Sequence, residues 1–380
     1  MARKHINWTN TLFLTITPLV ALIGTTYLVA THQLHWQTWV LAGIFTLLTG
    51  LAVTGGYHRL FSHRTYKAHA FVKFLFLFFG AGAFEGSAIE WSTDHRNHHL
   101  YVDTEQDPYN INEGFFHAHI GWLIHLDLSK RDFSNVEDLQ ADPMVAWQHK
   151  HFVVLGFFVG FILPMLIAMS WGDALGGFIL AGALRMTFNH HMTFCINSVC
   201  HMFGSRTYTE KQTARDNWFT ALFTYGEGMH NFHHQFPLDY RNGIRAYHFD
   251  PTKWLIWTFN KLGLATDLRR ITEQRIMRFK LQADADRLLR ENDKAPLAEK
   301  LQQLVEPLRE RIMDTLAHIE KLEADRSAFR DTGTTSHPHK NHAYRSHLRA
   351  YGVHLKAARR ELNMHLAEWA ALLRGTMLVG

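Results

Sequence analysis

Three runs of the sequence carry histidines at separations that metal ions use. Gly226-Glu227-Gly228-Met229-His230-Asn231-Phe232-His233-His234 places imidazoles at i, i+3 and i+4, and Asp94-His95-Arg96-Asn97-His98-His99 repeats the pattern. On an α-helix those positions leave from one face. A third run, His58-Arg59-Leu60-Phe61-Ser62-His63, follows an apolar stretch, and Asn197 with His201 adds one further i, i+4 pair. A single His-x-x-His-His is weak evidence, because buried histidines also serve as plain hydrogen-bonding groups. Imidazoles recurring at ligand spacing in four separate places are not explained that way.

The donor set narrows the metal. Imidazole suits zinc, copper, iron and nickel. A structural zinc takes four ligands and a catalytic zinc three plus water, so this many nitrogens implies two ions. The chain has two cysteines, Cys195 and Cys200, which excludes a disulfide framework and a cysteine-based zinc or iron–sulfur site. Asp94 and Glu227 adjoin the clusters and are expected to accept the imidazole N–H from behind, fixing the ring orientation. Zinc would serve hydrolysis. A redox pair fits the membrane setting better, because oxygen chemistry is how an unactivated C–H bond is attacked.

That setting is read from the elements that must hold these residues. Residues 11–30 and 36–56 are uncharged and long enough for a bilayer of about 30 Å at 1.5 Å per residue. Two further runs, 152–171 and 174–197, are joined by Trp171-Gly172-Asp173. Arg3 and Lys4 flank one side and Arg59, Arg64 and Lys67 the return, while the short links carry no Lys or Arg. The positive-inside rule then predicts four spans with both termini cytoplasmic, and the N-terminal run is read as a retained helix rather than a signal peptide. Residues 70–88 contain Lys73 and Glu85. A crossing there would also put the first two histidine runs on opposite sides, so this segment is read as a helix at the membrane surface. Arg185, Asn189, His190 and His191 fall in the last span, and the two histidines are read as packing or hydrogen-bonding groups near the interface.

The composition agrees. Its 380 residues are 47% hydrophobic, with 28 Phe, 11 Trp and 11 Tyr bunched rather than spread. The net charge of +5 and pI near 9.1 suit a surface facing anionic lipid or a phosphorylated substrate. No nucleic-acid motif accompanies the charge. Apolar positions at helical period over 297–330 and 344–373, with charged opposite faces, predict an antiparallel helical hairpin. The link between them, with His337, His339 and His342, reads as a solvated loop.

Taken together the motifs resemble the membrane fatty-acid desaturases, specifically the Δ9 acyl-CoA (stearoyl-CoA type) family. The residues that carry the resemblance are His58 to His63, Glu90-Trp91 through His99, Thr104 to Pro108, Asn197 to His201 and Gly226 to His234 with the following Gln-Phe-Pro. The match covers roughly residues 10–262. It implies an all-α integral membrane protein with four spans beneath a cytosolic helical cap, formed by 57–151 and 202–270, that holds a histidine-ligated diiron site. Residues 1–270 would be the desaturase domain and 271–380 a C-terminal cytosolic extension carrying the hairpin. By position, one iron would take His58, His63, His99, His230 and His234. The other would take His95, His98, His201 and His233, with Asn197 acting through a water. Trp91 and Thr193 stand where the family bends its acyl tunnel, and Thr46 and Gly50 where it closes it. Gly50 is small, which points to a wider far end.

The implied reaction is O2-dependent formation of a cis double bond at C9–C10 of an acyl chain, with two Fe2+ ions as cofactors. The chain shows no nucleotide loop, haem motif or cysteine cluster, so electrons would come from a separate ferredoxin, rubredoxin, cytochrome b5 or reductase. Where animal members carry a basic cluster for the CoA phosphates, this chain reads Ile124-His125-Leu126-Asp127-Leu128. Lys130, Arg131, Arg59, Arg64 and Arg206 are the substitutes available, and the head group stays open between CoA, carrier protein and phospholipid. A diiron alkane or sterol hydroxylase, a non-enzymatic membrane metal carrier or sensor, and a scaffold acting through the C-terminal hairpin are the rival readings. The lack of an obvious retention signal and the compact N-terminus point to a bacterial inner membrane.

Overall fold

The computed structural model describes residues 6–128, 131–291, 297–332 and 342–375. Their secondary structure is mostly helical, with a short antiparallel two-stranded pairing of Lys67–Ala68 and Ala265–Thr266 and isolated bridges joining Ser205, Asp216 and Met229. The chain forms two compact units. One comprises residues up to Arg206 together with Lys211–Arg270, and the other Thr207–Glu210 with the chain from Ile271 onward.

In the first unit, three helices among the described residues are long and apolar enough to cross a membrane: Trp8–Ala30, Trp36–Ser62 and Phe152–Trp171. Large apolar side chains point outward from them; Leu22 and Ile23 are each 66% exposed and Val154 is 73% exposed. Such faces are stable only against lipid or a partner. Asn7 caps the first helix by accepting from the Asn10 N–H at 3.0 Å, while its amide donates to Leu126 O at 3.1 Å, tying the helix start to the segment around 122–126.

The run expected at 174–197 is helical throughout, as Ala174–Phe178, π-wound Ile179–Leu184 and Arg185–Met202. It is not apolar enough to count with the other three. Its Arg185 is buried and donates to Gly82 O and Gly160 O, both at 2.9 Å, and to Ala181 O at 3.1 Å. Those carbonyls belong to three different stretches, so the guanidinium ties them together. His190 Nε2 lies 2.7 Å from Ala83 O and His191 Nδ1 lies 3.1 Å from His119 Nε2, so both serve as hydrogen-bonding groups.

Within 70–88 the helix is Ala70–Ala81, 12 residues and thus about 18 Å long, too short to span. Its Lys73 pairs with Asp142. The chain then turns into Ala88–Tyr101, whose start is fixed by a capping box. Ser87 Oγ accepts from the Glu90 N–H, and the Glu90 carboxylate accepts from the Ser87 N–H at 2.8 Å.

The second unit has its own apolar core. Leu301, Leu308, Ile312 and Leu316 from Leu297–Thr332 bury against Trp369 and Leu372 of His342–Leu373, and Ile319 against Leu355 and Ala358. Contacts between Arg311 and Glu368 and between Glu323 and Arg359 pair ascending with descending positions. The sequence reading missed a third member, Glu273–Glu291, which adds Leu281 and Ala285 to that core through a narrow stripe in a polar segment. His337, His339 and Lys130 lie outside the described residues.

Candidate metal centre

The first histidine run is spaced by five, which an α-helix at 3.6 residues per turn would splay by about 140°. The backbone avoids this by winding as a π-helix over Ala52–Ser62, and the His63 N–H bonds His58 O at 3.1 Å, an i→i+5 bond. Wider winding brings the two imidazoles onto one side. Ala88–Tyr101 presents His95, His98 and His99; Arg185–Met202 ends with His201; and the short helix His230–Gln235 carries His230, His233 and His234.

All nine imidazoles meet in two groups. His58, His63, His95, His99 and His233 form one, and His98, His201, His230 and His234 the other, with the potential ligand atoms of each group within 4.8 Å of one another. This corrects the allocation expected by position: His95 and His233 join His58, while His230 and His234 join His98 and His201. The reason is helical phase, since His230 and His234 are one turn apart and their Nε2 atoms approach to 3.0 Å, whereas His233 turns towards His58 and His99.

The Nε2 atoms converge. His58 meets His233 at 3.0 Å, His63 meets His95 at 2.8 Å, His233 meets His99 at 2.9 Å, His201 meets His230 at 3.0 Å and His98 meets His234 at 3.2 Å. Neighbouring ligands at right angles around an ion with metal–nitrogen bonds of about 2.1 Å would stand about 3.0 Å apart. Closed groups of inward lone pairs fit a cation far better than hydrogen bonds, since one donor cannot serve several acceptors.

The far side of the rings sets the tautomer. His98 Nδ1 lies 2.8 Å from Asp107 Oδ1, and His58 Nδ1 stands 2.8 Å from Glu227 Oε2, a close ion-pair approach without the alignment of a hydrogen bond. His201 Nδ1 donates to Thr213 Oγ1 at 2.7 Å, and that hydroxyl donates on to Asp103. An Nδ1–H held by an acceptor leaves the Nε2 lone pair free for a metal. Glu227 is itself fixed by Arg59, whose guanidinium reaches it at 2.8 Å and Asp250 at 3.0 Å. Burial pushes the Glu227 carboxyl up, but Arg59 and His58 outweigh it and hold the group below its ordinary value. Burial, reinforced by the neighbouring rings, drives His63, His95, His99, His230, His233 and His234 well below the free imidazole value of 6.5.

Other expectations fare differently. Asp94 does not orient an imidazole; its carboxylate takes Arg131, because a residue one position before His95 points about 100° away. Arg131, held also by Glu90 at 3.2 Å, and Arg59 are thereby committed inside the protein rather than offered to a phosphate. Asn197 is half-buried one turn before His201. The sequence reading missed Asp107, although it lies within the Thr104 to Pro108 motif; Thr213 and Asp103 carried no comparable signal.

Trp91 stacks on His95 with ring centroids 4.7 Å apart, and its indole N–H donates to Glu85 Oε2 at 3.3 Å. Thr193 donates to the other Glu85 oxygen at 2.9 Å, so Glu85 joins the two residues expected at the tunnel bend. Burial raises the Glu85 carboxyl to about 7, against the pull of those two hydrogen bonds. Beside them a narrow slot is lined by Gly50, Val53, Asn189, Met192 and Tyr225. The wider far end expected from Gly50 is not found, because the Tyr225 ring fills that space. Thr46 contributes its carbonyl, which accepts the Tyr225 hydroxyl at 2.8 Å.

A family model described as fatty acid desaturase matches residues 31–266. The chain is 44% identical over 277 residues to a probable acyl-CoA desaturase of Schizosaccharomyces pombe, covering 72% of this chain and 57% of that protein. It is 36% identical over 291 residues to acyl-CoA desaturase 1 of Saccharomyces cerevisiae, covering 75% and 56%. With stearoyl-CoA desaturase 5 of Bos taurus it shares 39% identity over 280 residues, covering 72% and 83%. The chain thus spans little more than half the length of the two yeast relatives. All three are eukaryotic, which lends the bacterial expectation no support.

Proposed function

Because the chain belongs to the fatty acid desaturase family, we propose that it introduces a cis double bond at C9–C10 of a saturated acyl-CoA, using O2 and electrons from a separate donor. The observation that carries this reading is the pair of buried groups of converging Nε2 atoms. His58, His63, His95, His99 and His233 would hold one iron, and His98, His201, His230 and His234 the other, with Asn197 acting through a water. Iron bound there supplies the oxygen activation that an unactivated C–H bond demands. The protein's part is positional. Asp107 and the Thr213–Asp103 pair fix the His98 and His201 tautomers, Glu227 stands against His58 Nδ1, and Arg59 fixes Glu227. Trp91, packed on His95 and bridged through Glu85 to Thr193, would form the wall against which the acyl chain bends, so depth in the slot sets which carbons lie nearest the site.

Val53, Met192, Ile196 and Phe223 give the slot apolar stretches that suit a hydrocarbon, between the polar Glu85, Asn189 and Thr193. The acyl-CoA head group rests on what the relatives act on by name, and carrier-protein or phospholipid acyl chains are the alternatives. The electron donor would be a ferredoxin, rubredoxin, cytochrome b5 or reductase. We place residues 1–270 as the desaturase domain, with four spans counting 174–197 and both termini cytoplasmic, and 271–380 as a helical extension carrying the hairpin. In a bacterial host the inner membrane is where that orientation puts the site. The test is expression in cells lacking unsaturated fatty acids, with mapping of double-bond position and iron analysis of the purified protein. A cis-9 alkene with two irons per chain is expected. A hydroxylated chain would instead mark the related diiron hydroxylase, and an iron-free active protein would overturn the metal reading.

A further inference from the structure

Outside the region matched to the family, the second unit collects positive charge that its own packing leaves largely unanswered. Arg326 of Leu297–Thr332 and Lys356, Arg359 and Arg360 of His342–Leu373 line one cleft of about 320 Å3. Asn363 adds an amide to its wall, and at Gly352 a side chain would meet nothing within 4 Å, so that end is open. No carboxylate lines the cleft. Arg359 donates to Glu323 at 2.8 Å; among the described residues no carboxylate partner is found for Arg326, Lys356 or Arg360. The sequence deepens the imbalance. Between Asp331 and Glu361 there is no Asp or Glu, while Lys340, Arg345, Arg349, Lys356, Arg359 and Arg360 all fall in that stretch.

Cations gathered in one concavity raise one another's energy and draw an anion to it. Three of the four are arginines, whose planar forks bind two phosphate oxygens at once and lose less hydration on doing so than an ammonium does. Long nucleic acid is the poorer match, because no aromatic platform for bases lines the cleft. We propose that this cleft binds a phosphate-bearing ligand carrying two or more negative charges, a phosphomonoester or a diphosphate. Such a group could come from a lipid headgroup or from a soluble molecule. The proposal does not depend on the oxidation chemistry of the first unit.

The test uses the full chain in an uncharged detergent, titrated calorimetrically with inorganic pyrophosphate and with dihexanoyl phosphatidic acid, dihexanoyl phosphatidylcholine serving as the control. At least one phosphate probe should bind and the choline lipid should not. R326Q/K356Q/R360Q should weaken binding by about tenfold or more, the loss of at least one charge-assisted contact, with acyl turnover unchanged. Binding of phosphatidic acid alone assigns a headgroup, and binding of pyrophosphate as well assigns the phosphate itself. Lys356→Glu, a single exposed change, should shift affinity in the same direction and guards against misfolding of the triple variant. The proposal is overturned if neither probe binds, or if both variants bind as tightly as the parent.

Discussion

Tyr225 and Gly50 fit each other as plug and socket: a methyl group built on Gly50 would fall inside the Tyr225 ring, and the Tyr225 hydroxyl donates to Thr46 O one turn earlier. Tyr225 holds a positive φ of 56°, so the backbone just before Gly226 is turned to aim the ring into the membrane helix. Glycine adopts that conformation freely. Tyr225→Gly should therefore keep the fold while emptying the socket. Each methylene newly buried is worth about 0.8 kcal/mol, so an acyl chain two carbons longer should gain on the order of tenfold in relative kcat/KM. Tyr225→Phe keeps the plug and should leave selectivity unchanged. Competition between acyl chains of different length, read by gas chromatography of the products, decides it, and an unaltered product spectrum in Tyr225→Gly would remove the ring from the substrate path.

One substitution in each imidazole group tests the proposed pair of ions. His98→Ala and His233→Ala should each abolish turnover and lower bound iron from two towards one. Asp107→Asn leaves every imidazole in place but weakens the hold on the His98 tautomer. It should cost about 10–100-fold in metal affinity or activity, as loss of such partners does elsewhere. Metal titration followed by elemental analysis measures both effects. Full iron and full activity in Asp107→Asn would show that His98 needs no orienting carboxylate.

The legible part of this site was what spacing alone can express. His95, His98, His99 and His230, His233, His234 stand at i, i+3 and i+4, and short helices present them as that periodicity requires. The allocation of rings between the two groups was not legible, because it depends on how four segments far apart in sequence are rotated about one another. Nor was the π-winding over Ala52–Ser62, which makes a spacing of five productive. Asp94 looked like an orienting carboxylate for being next to His95, yet adjacency in a helix is divergence in space. Tyr225 and Gly50 are 175 residues apart, and nothing local to either announces the other.

Acid should release the metal only below the ordinary histidine range. His63, His95, His99, His201, His230, His233 and His234 bind protons more weakly in the folded chain than the free value of 6.5, burial being the main cause. Above 6.5 both folded and unfolded chains hold these rings neutral and the stabilisation is fully present. As pH falls below 6.5 the unfolded chain takes up protons first, so stability and metal retention decline together through that window. Iron retained after desalting at stepped pH, with melting temperature in parallel, should hold down to about pH 6 and then fall. Release already half complete at pH 7 would contradict the burial of the cage.

Glu85 should impose a pH dependence on acyl binding near neutrality. Burial raises its carboxyl to about 7, with Thr193 and Trp91 donating to it. Below that value the group is mostly neutral beside the apolar slot. Above it, a carboxylate faces the hydrocarbon at a desolvation cost. KM should therefore rise as pH passes upward through about 7, with kcat less affected. Glu85→Gln keeps an acceptor for either donor but cannot ionise, so its KM should be flat across the same range. A pH-dependent KM in Glu85→Gln equal to the parent's would assign the effect to another group.

Truncation after Arg270 tests whether the second unit serves the chemistry at all. That unit buries its own core, with Leu301, Ile312, Trp369 and Leu372 almost fully enclosed, and the family match stops at residue 266. The cut also removes the partners of Glu210. Glu210, its side chain 7% exposed, is paired with Arg290 at 2.7 Å and approached by Arg287 at 3.7 Å, and it would lose both. Because Thr207–Glu210 packs with the chain from Ile271 onward, the same cut opens Glu210 to water, where a carboxylate is well solvated. The truncated chain should therefore fold, with acyl turnover per iron equal to that of the full chain. Turnover per iron that is low in the truncated chain would make the C-terminal helices part of the catalytic machinery rather than an attached module.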